Sequence, residues 1–260
     1  MRERNHDLVS EDACLTSHIL DLGSGRPAGN IPVTLLRGNR SAFTLLKEAR
    51  SNGNGRFDAP LLTTGEAEAG RYRLVFAVSS TFFDSVTVDF NISDTAAHHH
   101  VPLVLSPFGF SVYRGAPPHR PPRDVGFPKE HPLPPAEGSA PMPGTDGAGL
   151  TIHAIDIAGG KGAGGLQVHL FGAEGSHLAT QVTTSEGRTP RWLVAAGALA
   201  ADIYELAFDI GTYFSGAANP VIPPPFFETA RVRFRVNDRS EHHHLPLIAA
   251  PWGYSCYRGS

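Results

Sequence analysis

Residues 242–260 read HHHLPLIAAPWGYSCYRGS, and residues 98–116 read HHHVPLVLSPFGFSVYRGA. Both stretches set a His triplet ahead of an apolar, β-branched run, then a Pro-aromatic-Gly turn, then a short run ending in Tyr-Arg-Gly. Turn residues between two strand-like segments predict a β-hairpin. Self-similarity of this length marks a tandem duplication, so the 260 residues read as two units rather than one.

Working outward from the two hairpins, the expected organisation is a leader at 1–13, a first domain at 14–116, a Pro-rich linker at 117–147 and a second domain at 148–260. Each domain is long enough to bury its own core. Residues 15–21 alternate, with Leu15, Ser17, Ile19 and Asp21 on one face and Thr16, His18 and Leu20 on the other. Gly23 to Gly25 turns the chain, and residues 31–36 read as the partner strand. Residues 50–56 form a turn rich in candidates for positive φ and leave Arg56 at its exit. Residues 71–78 and 85–92 are further strands of period two. The second unit repeats the order: residues 150–156 match 15–21, the turn 184–188 matches the one ending at Arg56, and 202–208 match 71–78. Short strands with frequent turns and little helical periodicity predict an all-β chain with a β-sandwich in each unit.

The linker is too rich in proline and too poor in large apolar residues to order into a core, so an extended spacer is expected. A net charge of -3 gives no general attraction to nucleic acid or to an acidic membrane. No apolar run reaches the length of a membrane span, and the charged N-terminus lacks the apolar centre of a signal peptide. The two cysteines, Cys14 and Cys256, form no disulfide framework. A reducing compartment is expected: the cytoplasm, or the peroxisome in a eukaryote.

The spacings single out the chemistry. His18 and His153 lie 135 residues apart, Arg56 and Arg188 lie 132 apart, and His100 and His244 lie 144 apart. The second unit therefore carries twelve more residues between its Arg and its triplet, around 211–227, where a loop and a short helix are expected. Alternation sends His98 and His100 to one strand face and His99 to the other, and likewise His242 and His244 against His243. His100 and His244 should look away from their own cores. Imidazole titrates near neutrality and can accept and return a proton during hydrolysis. A guanidinium holds its charge and suits an oxyanion or a planar, carbonyl-rich ring. Solvated strand histidines are the bland alternative, but recurrence of the whole set in order argues against it. His at i and i+2 could chelate zinc, yet no Cys or acidic residue recurs beside the triplets, so no metal and no cofactor is expected.

Residues 17–21, Gly55-Arg56, the run from His98 to Leu103, residues 106–109 and Tyr113-Arg114-Gly115 together resemble the transthyretin-like family, in its hydroxyisourate hydrolase branch. The second unit matches through His153 to Asp156, Gly187-Arg188, His242 to Leu247 and the terminal Tyr257-Arg258-Gly259-Ser260. The resemblance implies two transthyretin-like sandwiches of two four-stranded sheets each. It also implies a hydrolase that opens the ring of 5-hydroxyisourate, a product of urate oxidation, by His-assisted water attack. In that reading His153, Arg188, His244 and Ser260, with His18, Arg56 and His100, are catalytic. Tyr257, Arg258 and Gly259, with Tyr113, Arg114 and Gly115, bind substrate. The implied partners are a small-molecule substrate and a second copy of the chain, two tandem chains making a tetramer-like particle. A methylated hydroxyisourate or another lactam or imide as substrate, and a non-catalytic ligand carrier, stay open as alternatives. Ala116 stands where the second unit ends in Ser260, so the more complete site is expected in the second unit.

Overall fold

The computed structural model describes residues 12–39, 42–78, 80, 82–115, 149–194, 198–216 and 225–259. The expected linker at 117–147 and Ser260 lie outside the described residues. The first repeat supplies β1 (Ala13–Thr16), β2 (Ile19–Asp21), β3 (Arg26–Pro27), β4 (Pro32–Asn39), β5 (Ala42–Arg50) and β6 (Leu62–Thr63). It continues with β7 (Gly70–Phe76), β8 (Phe83–Ile92), β9 (His99–His100), β10 (Leu103–Ser106) and β11 (Gly109–Tyr113). The second supplies β12 (Gly149–Asp156), β13 (Lys161–Gly162), β14 (Gln167–Gly172), β15 (His177–Val182) and β16 (Ile203–Phe208). Helix α1 (Ile210–Ser215), β17 (Phe227–Arg235), β18 (His242–Ala250) and β19 (Gly253–Tyr257) complete it.

Each repeat contributes four strands to each of two sheets, and both sheets run on through the other repeat. One eight-stranded sheet has the order β13-β12-β18-β19-β11-β10-β2-β3, the other β15-β14-β16-β17-β8-β7-β4-β5. The seams are antiparallel pairs of equivalent strands. Ser111 pairs with Ser255 across β11 and β19, and their hydroxyls meet at 2.6 Å between residues 144 apart in sequence. Thr87 pairs with Arg231 across β8 and β17 at the same sequence offset. Equivalent residues facing each other in both sheets define a pseudo-twofold axis through the pair. The buried side chains form one cluster that spans both repeats. Aromatic rings cross the junction: Phe83 meets Phe110 edge-on at 5.2 Å, Phe110 meets Tyr254 at 6.3 Å, and Tyr254 meets Phe227 at 5.4 Å. Edge-to-face contacts of this kind add to the area they bury.

Residues 31–36 do not pair with β2, contrary to expectation. Gly25, at φ 67, closes a turn tight enough to set Arg26 opposite Asp21, so the short β3 takes that place. Asn30, at φ 66, then redirects the chain, and β4 enters the other sheet between β5 and β7. The extra segment of the second repeat holds α1, the one helix among the described residues. In the first repeat β1 and β9, with β6, form a separate three-stranded sheet. The break is local: Val101 N donates to Thr16 O and Leu103 N to His18 O, carrying the ladder from β1 and β9 into β2 and β10. In the second repeat the corresponding strands, β12 and β18, pair without interruption.

Candidate active site

In both repeats the site grows from one pair of parallel strands. Thr151 lies opposite His244 and His153 opposite Pro246 on β12 and β18, so the side chains of Thr151, His153 and His244 share a face. In the first repeat Thr16 lies opposite His100 in the same way. Arg188 reaches this face because the turn before it folds onto β12: His153 and Arg188 form a backbone bridge, and Ala154 N donates to Gly187 O. Gly187 sits at φ 78, and a Cβ there would fall 1.9 Å from Ala154 O. Gly55, at φ 70 beside Ile19 O, does the same for Arg56. Gly115 and Gly259 return to the triplet strand through bridges to His100 and His244. A Cβ on either would come within 2.7 Å of the imidazole Cδ2, so the glycine of Tyr-Arg-Gly leaves room for the ring.

The two clusters match in detail. Thr16 Oγ1 lies 2.8 Å from His98 Nε2 and 2.9 Å from His100 Nδ1. Thr151 Oγ1 lies 2.8 Å from His242 Nε2 and 2.9 Å from His244 Nδ1. His99 and His243 turn into the core and donate from Nε2 to the carbonyls of Asp94 (2.9 Å) and Asp238 (3.1 Å), a structural role. His153 donates from Nε2 to Glu186 O at 3.1 Å, which leaves Nδ1 as its acceptor.

Burial pushes His100 down to about 4, and His98, Arg56 and His18 push the same way. His244 is lowered to about 4 by burial, Arg188, His242 and His153. Burial and Arg188 also lower His153. These imidazoles are neutral at pH 7, with a nitrogen lone pair available beside a guanidinium. The depressed values fix the sign of a stability effect. Between the free-imidazole value and about 4 the unfolded chain binds more protons than the folded one. Stability is thus complete above pH 6.5 and falls as pH drops toward 4. His98, His99, His153 and His242 are lowered too and add in the same direction. Thermal melts from pH 7.5 to 4 should show a falling Tm, with a shallower slope in a His100→Asn/His244→Asn variant. An unchanged slope would contradict the assignment.

The structure brings His18, Arg56, His100 and Gly115 together in one repeat and His153, Arg188, His244 and Gly259 in the other. Arg114 and Arg258 are directed elsewhere. Alternation puts them on the side of Val112 and Cys256, and each guanidinium stacks across the seam. Arg114 lies 5.1 Å from the Phe226 ring and 5.0 Å from Trp252. Arg258 lies 5.5 Å from Phe82 and bonds Glu241 at 2.5 Å. Tyr113 and Tyr257 stay on the open face, where Tyr257 lines a shallow groove with Val104, Ser111 and Ser255 between the two clusters. Sequence reasoning gave no role to Thr16 and Thr151. The signal was present, because Leu-Thr-x-His recurs at 15–18 and 150–153. Among the described residues no group of three or more His, Cys, Asp or Glu side chains is placed to hold a metal ion. No helix among them is long and apolar enough to cross a membrane.

These features define a fused pair of β-sandwiches carrying two equivalent imidazole–guanidinium clusters on one sheet face. The HIUase/Transthyretin family model matches residues 15–115 and again 150–259, and the chain belongs to that family. Over 115 residues it is 43% identical to a 5-hydroxyisourate hydrolase of Deinococcus radiodurans, covering 43% of this chain and 96% of that one. The 5-hydroxyisourate hydrolase of Mesorhizobium japonicum is 42% identical over 114 residues, 39% of this chain and 91% of its own. A solved structure of Klebsiella pneumoniae 5-hydroxyisourate hydrolase aligns with TM-score 0.38 and 36% identity, over 43% of this chain and 97% of that one.

Proposed function

We propose that this chain is a hydrolase that opens the ring of 5-hydroxyisourate by adding water to a cyclic amide. The observation that carries the reading is the doubled cluster: two imidazoles and a guanidinium on one face, in a chain whose curated relatives are named for that reaction. In the second repeat neutral His244 takes a proton from water as the water oxygen bonds to the amide carbon. Arg188 faces the oxyanion that forms and holds the carbonyl-rich ring. His153, its Nε2 tied to Glu186 O, steers the water and the returning proton, which goes to the ring nitrogen as the C–N bond breaks. Tyr257 and Gly259 shape the pocket, Arg258 supports it from the core side, and Ser260 keeps the catalytic role that the family resemblance implies. His18, Arg56, His100, Tyr113, Arg114 and Gly115 do the same in the first repeat.

The assembly we infer is two chains, each with repeats at 14–116 and 148–260 joined by 117–147, stacked by their site-bearing sheets. Exposure of Leu22 (60%), Ile157 (59%), Tyr113 (45%) and Tyr257 (41%) in a single chain supports a covered face. Freshly generated 5-hydroxyisourate, followed by its ultraviolet absorbance, should decay faster with the protein than without it, and light scattering should give the mass of two chains. Decay at the spontaneous rate would overturn the activity. Faster turnover of a methylated analogue would move the substrate instead, and a one-chain mass with full activity would overturn the assembly.

A further inference from the structure

We propose that Thr16 and Thr151 are positioning residues whose hydroxyls tie His98 to His100, and His242 to His244, into chains that hold and move one proton as a unit. A threonine hydroxyl has one proton to donate and lone pairs to accept. Placed between two imidazole nitrogens at 2.8 and 2.9 Å, it must donate to one and accept from the other. The tautomers of the two rings are therefore coupled. If Thr16 donates to His98 Nε2, then His100 carries its proton on Nδ1 and presents a bare Nε2, which is the base. If His98 donates from Nε2, Thr16 donates to His100 Nδ1, and His100 carries its proton on Nε2, which is the acid.

The reaction needs both forms in turn, and the chain interconverts them. When His100 Nε2 takes a proton from water, its Nδ1 proton passes to Thr16 Oγ1, and the Thr16 proton passes to His98 Nε2. His100 ends neutral and His98 ends as the cation, so the three groups together hold the one proton that water gave up. Reversal returns the proton to the leaving nitrogen. The arrangement moves the positive charge away from Arg56, which lies among the groups acting on His100 together with His98 and His18. His244 faces Arg188, His242 and His153 in the same way. Both repeats keep the hydroxyl and both imidazoles at matching distances. The pair of rings packs at 6.2 Å in one repeat and 6.1 Å in the other.

The mechanism rests on the hydrolase reading, but the tautomer coupling does not, so the test has two readouts. In a Thr16→Val/Thr151→Val variant, which keeps the side-chain shape, kcat should fall about 10- to 100-fold with KM little changed. The acidic limb of its pH profile should shift, and Thr16→Ser/Thr151→Ser should restore both. Imidazole nitrogen NMR shifts should show the tautomer pattern of the paired histidines changing in the Val variant and returning in the Ser variant. Wild type that leaves hydroxyisourate to its spontaneous rate, with the NMR change present, would sink the hydrolase reading and leave the coupling standing. A folded Val variant with wild-type kcat and pH profile, or with unaltered imidazole shifts, would overturn the proposal.

Discussion

Replacing His100 and His244 together by alanine is expected to slow hydrolysis of 5-hydroxyisourate by about 10²- to 10⁴-fold, the usual contribution of a positioned acid–base group. Each ring stands on a threonine at 2.9 Å and against a glycine that leaves 2.7 Å for a Cβ, so the two clusters are geometric equals. Either single variant should therefore keep about half of the wild-type kcat rather than all or none of it. The decay assay measures both numbers. A double variant at the wild-type rate would remove these imidazoles from the chemistry. A His244→Ala variant as slow as the double variant would leave the first cluster silent, despite its matching distances.

The largest effect on stability is expected at Asp89. Its carboxylate is fully buried and accepts from Arg73 Nε (2.6 Å) and Nη2 (2.8 Å) within its own repeat and from Arg231 Nε (3.1 Å) of the other. Arg231 also holds Glu205 at 2.6 Å. Removing Asp89 takes the carboxylate from Arg73 and leaves Arg231 with Glu205 alone, and breaking a buried charge group in this way costs about 3–5 kcal/mol. Asp89→Ala should lose that much in urea denaturation at pH 7. Surface pairs such as Arg37 with Glu68 should lose under about 1 kcal/mol when broken. A loss at Asp89 no larger than at that surface pair would show that this charge group adds little to the seam beyond its ladders and aromatic rings.

Much of the fold was legible where a strand has one wet face and one dry face. Residues 15–21 show this, with Leu15 and Ile19 fully buried and Thr16, His18 and Leu20 partly exposed. The hairpins were legible from their turns. Strand β5 was not: it lies at a sheet edge, Leu45 and Leu46 are both exposed, and no alternation marks it. Strand β15 is the edge of the same sheet and escaped notice in the same way. Continuation of both sheets through the seams was also illegible, because the pattern of a strand specifies which face is buried and not which strand will lie beside it. The imidazoles and guanidinium of the candidate site were singled out by repetition, and strand alternation set His100 and His244 off their own cores. Alternation could have turned Arg114 and Arg258 away from it, since Tyr113 and Tyr257 flank them on the open face.

On a true twofold axis a residue meets its own copy, so two identical subunits could not place an arginine at that point without setting like charges together. Joining the halves in one polypeptide lifts this restriction. At the centre of the β8–β17 ladder a threonine faces an arginine, and β17 sends further arginines to Asp84 at 3.0 and 3.3 Å. At these positions β8 supplies the carboxylates and β17 the guanidiniums, so a β17 that strayed to its twin in a neighbouring molecule would set Arg231 against its own copy. Fusion has turned a self-matching joint into a keyed one.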